Sequence, residues 1–93
     1  MYFEWNENKR RSNLLKHRVD FSDAVGVFYD DNAITIEDPD HLVEHRFITL
    51  GMDFSTQTLV VVSMQRNGNI IRIISARKAS RQERRQYGGS HER

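Results

Sequence analysis

LVVVSMQRNGNIIRIISA, residues 59–76, is the stretch on which the fold turns. Leu59 to Met64 is an almost uninterrupted apolar run of strand length and reads as a central strand. Asn67-Gly68 is a strong hairpin signal, because a type I′ turn needs positive φ at both central positions and these two residues tolerate it. Ile70 to Ala76 then returns as a second strand, antiparallel to the first. Within it, Arg72 is flanked by Ile70, Ile71, Ile73 and Ile74. Burying it unpaired would be expensive, so it must face solvent, a carboxylate or a substrate. Regular alternation sends Arg72 to one face and Ser75 with Arg77 to the other, so Arg72 and Arg77 can serve one ligand only if the chain bends or bulges after Ser75.

C-terminal to this hairpin, Ser80-Arg81-Gln82-Glu83 spells a capping box, in which serine accepts from the N3 amide and glutamate reaches back to the cap amide. It predicts a helix over Arg81 to Tyr87, ended by Gly88-Gly89, with Ser90 to Arg93 as a mobile tail. N-terminal to the hairpin, Tyr2 to Trp5 alternates as a short strand with Phe3 and Trp5 on the same side, as core aromatics. Asn6 caps a mostly polar helix through about His17. Ser22 is the expected cap of a second short helix running to about Phe28. Ala33 to Glu37 reads as an edge or hairpin strand stopped by Asp38-Pro39-Asp40, and Arg46 to Leu50 as a strand broken by Gly51. The order predicts an α+β domain over residues 1–89, a small antiparallel sheet with two N-terminal helices and one C-terminal helix packed on one face and the other face free.

With 93 residues there is room for one core. The chain has no cysteine, which excludes thiolate metal sites and thiol nucleophiles and fits the cytoplasm. Neither a leader-like start nor an apolar run of about 20 residues is present, so neither export nor membrane insertion is expected. The net charge of +1 hides an asymmetry. Asp20 to Ser55 holds nine acids and one base, Arg46, whereas Gln65 to Arg93 holds eight bases and two acids. A basic end beside an acidic middle suggests a phosphate-facing surface, and a solvated charged helix would look similar.

Three runs together, FEWNENKRRSNLLKHRVDF (residues 3–21), RFITLG (46–51) and RIISARKASRQERRQY (72–87), resemble the BrnT toxin family of type II toxin–antitoxin systems. The resemblance implies a RelE-like fold, a metal-independent ribonuclease that blocks translation, no cofactor, and a BrnA-type ribbon-helix-helix antitoxin as partner. Asn6 stands where many members carry aspartate; an amide there can still cap the helix but supplies no carboxylate.

RNA can be cut without metal when its own 2′-hydroxyl attacks the adjacent phosphorus, which needs a base, an acid and cations for the developing charge. Arg77, at a strand-to-helix junction and within the family's S-x-R-x-A-S pattern as SARKAS, can offer bidentate donors to phosphate, against a surface ion pair as the plain alternative. Arg46 opens a strand in the acidic middle; a salt bridge to Glu44 and a phosphate contact both fit, and the match at RFITLG favours the second. Arg72 would assist. His17, beside Lys16 at the end of the first helix, has the residue type for acid–base work, while C-terminal capping fits it equally. Lys16, Arg81 and Arg84 are RNA-binding candidates, although a solvated helix face explains the last two as well. Asp38, Asp40, His41, Glu44 and His45 are metal-ligating types, but Pro39 and the charge density read as a loop, so no metal centre is expected; Glu44 or His45 as general base is a minority view. The reading from another class is a noncatalytic RNA- or protein-binding module, or an inactive toxin homologue kept for a regulatory complex.

Overall fold

The longest ladder of the sheet is the predicted hairpin, and every other element is placed by it. The computed structural model describes residues 1–41 and 43–89. Strands β4 (Thr58–Arg66) and β5 (Ile70–Lys78) pair antiparallel around the three residues Asn67, Gly68 and Asn69, one more than a two-residue turn needs, with the expected positive φ at Asn67 (40°) and Gly68 (76°). β3 (Arg46–Met52) pairs antiparallel with β4, and β2 (Ile34–Glu37) pairs antiparallel with β3 as an exposed edge strand. β1 (Tyr2–Glu4) lies on the far side of β5 and runs parallel to it, giving the order β1-β5-β4-β3-β2. The sheet is therefore mixed, where an antiparallel one was expected; the chain enters at the edge and needs the α1–α2 crossover before the meander begins.

Helix α1 (Glu7–His17) starts as predicted, with the Asn6 side chain accepting from the Lys9 amide at 3.1 Å. The second helix, α2 (Phe21–Ala24), continues directly as a 3-10 helix over Val25–Tyr29. Its cap is Asp20, two residues before the expected Ser22: the Asp20 carboxylate accepts from the Ser22 amide and also from Arg10. A charged cap that serves two donors outcompetes a hydroxyl. The final helix, α3 (Arg81–Gly89), carries the capping box in full, with Glu83 N–H donating to Ser80 Oγ at 3.2 Å and Ser80 N–H to Glu83 Oε1 at 2.8 Å. It keeps helical geometry through Gly89, two residues past the expected end; the predicted tail, Ser90 to Arg93, lies outside the described residues.

One sheet face carries the core. Leu59, Val61, Ile73 and Ala76 are buried there under Phe21, Ala24 and Val27, with Val19 beside them. Trp5 meets Phe21 edge-on at 6.0 Å and Phe3 tilts against Phe28 at 5.4 Å, so the N-terminal aromatics are core, as their spacing suggested. Gly51 does not break β3. It sits inside the strand, where an added Cβ would come within 2.8 Å of a Val27 methyl and 3.0 Å of the Ala33 Cβ, so glycine is there to let the 3-10 helix approach. The opposite face is not free either. Glu83 and Gln86 of α3 stand over Ile36, Ile48, Leu50 and Val60, and Tyr87 donates to Asp30 at 2.6 Å, which ties α3 to the end of the 3-10 helix. Burial and the Asp30 carboxylate push the Tyr87 hydroxyl up to about 12.

Candidate functional site

A slip in the β4–β5 register puts the key side chains on one face. Val62 faces Ser75, yet Ser63 faces Ile73, so Ile74 is a bulged residue with no opposite number. The bulge falls before Ser75, not after it as expected; Arg72 and Arg77 share a face either way, but this position brings Ser75 to that face too. Beyond it the alternation is reset, and Arg72, Ser75 and Arg77 lie with Met64, Val62 and Val60 on the face opposite the core. Arg46 joins them, because it faces Met64, which in turn faces Arg72.

Sharing a face does not bring the three arginines to one point. Arg46 and Arg72 flank β4 in the same row, about 10 Å apart between Cα atoms by strand spacing. Arg77 lies four β4 residues away in register, so it is roughly 16 Å from Arg46, at the opposite corner. A single phosphate would need both side chains at full stretch, whereas an extended strand of phosphates could meet each in turn.

All three arginines hold carboxylates of the chain. Arg72 donates to Glu4 at 2.9 Å, Arg46 to Glu44 at 2.9 Å through Nε, and Arg77 to both oxygens of Glu83 at 2.8 and 2.9 Å. The Arg77 fork pulls the Glu83 carboxyl down to about 2, with the Ser80 amide assisting, and the Arg77 pKa is raised in return. Arg77 still has donors to spare. Its Nη1 serves Glu83 and the Lys78 carbonyl, and Nη2 serves Glu83 once, which leaves Nε–H and the second Nη2 hydrogen without partners among the described residues. That pair forms a second fork along the side of the guanidinium, the geometry that grips a phosphate. Arg72 and Arg46 likewise keep unused donors.

Helix α1 walls the site on the β5 side. β1 pairs only with Ile70 to Arg72, so the edge of β5 is bare from Ile73 onward. Asn13 covers it. Its amide donates to the carbonyls of Ala76 and Val19 at 2.8 and 2.9 Å, and its oxygen accepts from the Ala76 N–H at 3.1 Å. A buried side chain thus takes the place of the missing strand and fixes α1 against the bulge. Lys9, Ser12, Lys16 and His17 then ring a concavity of about 220 Å³ closed by Ile74 and Ser75. Lys16 and His17 therefore do adjoin the arginine face, through Ser75.

The remaining candidates lie elsewhere. Arg84 donates to the Ala79 carbonyl at 3.0 Å, and Arg81 is exposed on the same helix. In the β2–β3 loop, His41 bonds Asp38 at 2.8 Å and His45 bonds Glu37 at 2.5 Å, each to its own carboxylate. The Asp40 amide and then His41 hold the Asp38 carboxyl below its usual range. Among the described residues no three metal-ligating side chains converge. Two contributors escaped the sequence argument: Asn13, whose only signal is a polar residue where the helix should be packed, and Ser75, which acquires its place only through the bulge.

The sequence model of the ribonuclease toxin BrnT of type II toxin–antitoxin systems matches residues 5–83. The chain belongs to the BrnT toxin family. That family stands for a ribonuclease toxin with RNA as target and an antitoxin as partner. The matched span contains Arg46, Arg72, Arg77, Glu83 and the whole α1 wall. In fold, the BrnT-family chain is similar to the crystal structure of the ribonuclease toxin BrnT of Brucella abortus, with a TM-score of 0.71 over 87% of this chain and 99% of that one at 24% identity. Curated protein sequences give no match. No helix among the described residues is long and apolar enough to cross a membrane.

Proposed function

We propose that this BrnT-family chain is a metal-independent endoribonuclease of the cytoplasm that inhibits translation by cutting RNA, and that a BrnA-type ribbon-helix-helix antitoxin neutralises it by covering the arginine face. The observation that carries this reading is the Ile74 bulge, which gathers Arg72, Ser75 and Arg77 on the face that Arg46 also occupies. An RNA strand laid along that face meets Arg77 at one end and Arg72 with Arg46 at the other. The scissile phosphate sits at the free fork of Arg77, with Glu83 holding the guanidinium in place from behind.

In the reaction the 2′-hydroxyl gives up its proton to a base and its oxygen attacks the adjacent phosphorus. The bond to the 5′-oxygen breaks, and an acid protonates the departing oxygen, leaving a 2′,3′-cyclic phosphate and a 5′-hydroxyl. Arg77 stabilises the charge that builds on the phosphoryl oxygens. His17 is the acid–base group assigned here, since it is half-buried in the pocket that Ser75 closes. Lys16, Arg81 and Arg84 contact flanking phosphates.

Incubation of the purified chain with a single-stranded RNA and excess EDTA tests this directly. Cleavage to 2′,3′-cyclic phosphate ends is the expected result. Activity abolished by EDTA and restored by a divalent ion would overturn the metal-independent mechanism. The ion pairs on all three arginines favour one other reading, a noncatalytic module whose charges are structural; it predicts no cleavage under any condition and no growth arrest on expression.

A further inference from the structure

Six arginines of the chain meet its own carboxylates, while Arg18, Lys78, Arg81, Arg84 and Arg85 meet none among the described residues. Arg10 and Arg11 on α1 pair with Glu7 and Asp20, and Arg46, Arg66, Arg72 and Arg77 each meet a glutamate. Lys9, Lys16 and His17 do not. Among the described residues their side chains make no ion pair or hydrogen bond, although they converge on the pocket of about 220 Å³ between α1 and the β5 bulge. No carboxylate lines that pocket, and the hydroxyls of Ser12 and Ser75 are also unengaged there. Lys9, Ser12 and Lys16 recur at the three- and four-residue spacing of one helical stripe, so the convergence is built into α1. The wall is held rigid by Asn13, whose donors and acceptor are consumed by the backbone of Ala76 and Val19.

From this we infer a second phosphate subsite: the pocket of Lys9, Ser12, Lys16, His17 and Ser75 takes the RNA phosphate next to the one at Arg77. Like charges gathered in a concavity without counter-ions repel each other and are relieved by an anion, whereas Arg46, Arg72 and Arg77 on the adjoining face each have a glutamate of the chain beside them. Two hydroxyl donors beside the ammonium groups suit the several oxygens of a phosphate. Ser75 links the two subsites, since it closes the pocket and lies two residues from Arg77 on the same face, about 7 Å along the strand. Lys9, Ser12, Lys16 and Ser75 contribute binding and register, and His17, which lines the same pocket, keeps its acid–base role. The assignment rests on the ribonuclease reading above for its ligand, but not for the existence of the anion site.

The test uses a short RNA with 2′-O-methyl groups, which binds but cannot be cut, and two charge-neutralising variants of one helix. Lys9→Gln removes a pocket cation, whereas Arg11→Gln removes an exposed cation that already pairs with Glu7. Lys9→Gln is expected to weaken RNA binding roughly three- to tenfold and to reduce the slope of log affinity against log salt by about 0.7. Arg11→Gln should leave both within about twofold. Titration with inorganic phosphate, followed by amide chemical shifts, should move Ser12 and Ser75 in the wild type and not in Lys9→Gln. If Lys9→Gln behaves as Arg11→Gln does, or phosphate shifts neither serine, the subsite is refuted even with cleavage intact. If phosphate and RNA bind through Lys9 but no RNA is ever cut, the subsite stands and the ribonuclease mechanism fails.

Discussion

Three of the Arg77 N–H groups hold the chain's own atoms, two on Nη1 and one on Nη2, and the rest form the fork offered to substrate. Arg77→Ala should therefore lower kcat by about 10²- to 10³-fold while leaving urea-unfolding stability within about 1 kcal/mol, because an exposed ion pair adds little and the Ser80–Glu83 box survives. Glu83 makes a prediction of opposite kind. Its carboxyl is held at about 2 in the folded chain against 4.5 for the ordinary group, so the stability it contributes is complete above about pH 5. That contribution is lost as pH falls toward 2. Wild type and Glu83→Gln should differ most in Tm near neutrality and converge in acid; a gap that widens as pH falls would contradict the assignment. Sequence order alone pointed to Arg77, yet it could not show that the partner of Arg77 is the capping-box glutamate, since that pairing needs the strand-to-helix turn to fold back.

At the scale of elements, the hairpin and the capped helix were legible because each is written in contiguous residues: Asn67-Gly68 in the one, Ser80 to Glu83 in the other. What depends on partners distant in sequence was not. Gly51 read as a strand breaker, but it is a contact with Val27 in three dimensions, and Gly51→Ala should cost about 1–3 kcal/mol in urea unfolding. Asn13 looked like one polar residue among many in α1. Its replacement by alanine would leave the N–H and C=O of Ala76 unpaired at the buried edge of β5, and a loss of roughly 2–4 kcal/mol is expected. A smaller loss than that of a surface asparagine would show that water replaces it. The parallel docking of β1 was equally hidden, because its pairing partner lies almost 70 residues on, as Phe3 against Ile71 illustrates.

On the scale of the whole molecule, charge and topology act together. Asp38, Asp40 and Glu44 of the acidic middle lie in the β2–β3 loop at one end of the sheet order, while α1 and β5 carry Lys9, Lys16, Arg72 and Arg77 toward the other, with α3 lying over β2 to β4. That division, with the Ile74 bulge, makes one face of a BrnT-family domain the place for RNA. A structure of the chain bound to a 2′-O-methyl tetranucleotide tests this claim most directly. It should place one phosphate on the Nε side of Arg77, with Glu83 still paired behind it, and the strand running over Ser75 toward Arg72. RNA seated instead on the opposite face, in the groove where Phe28 faces Phe47, Thr49 and Ser63, or touching only the outer surface of α3, would contradict the account.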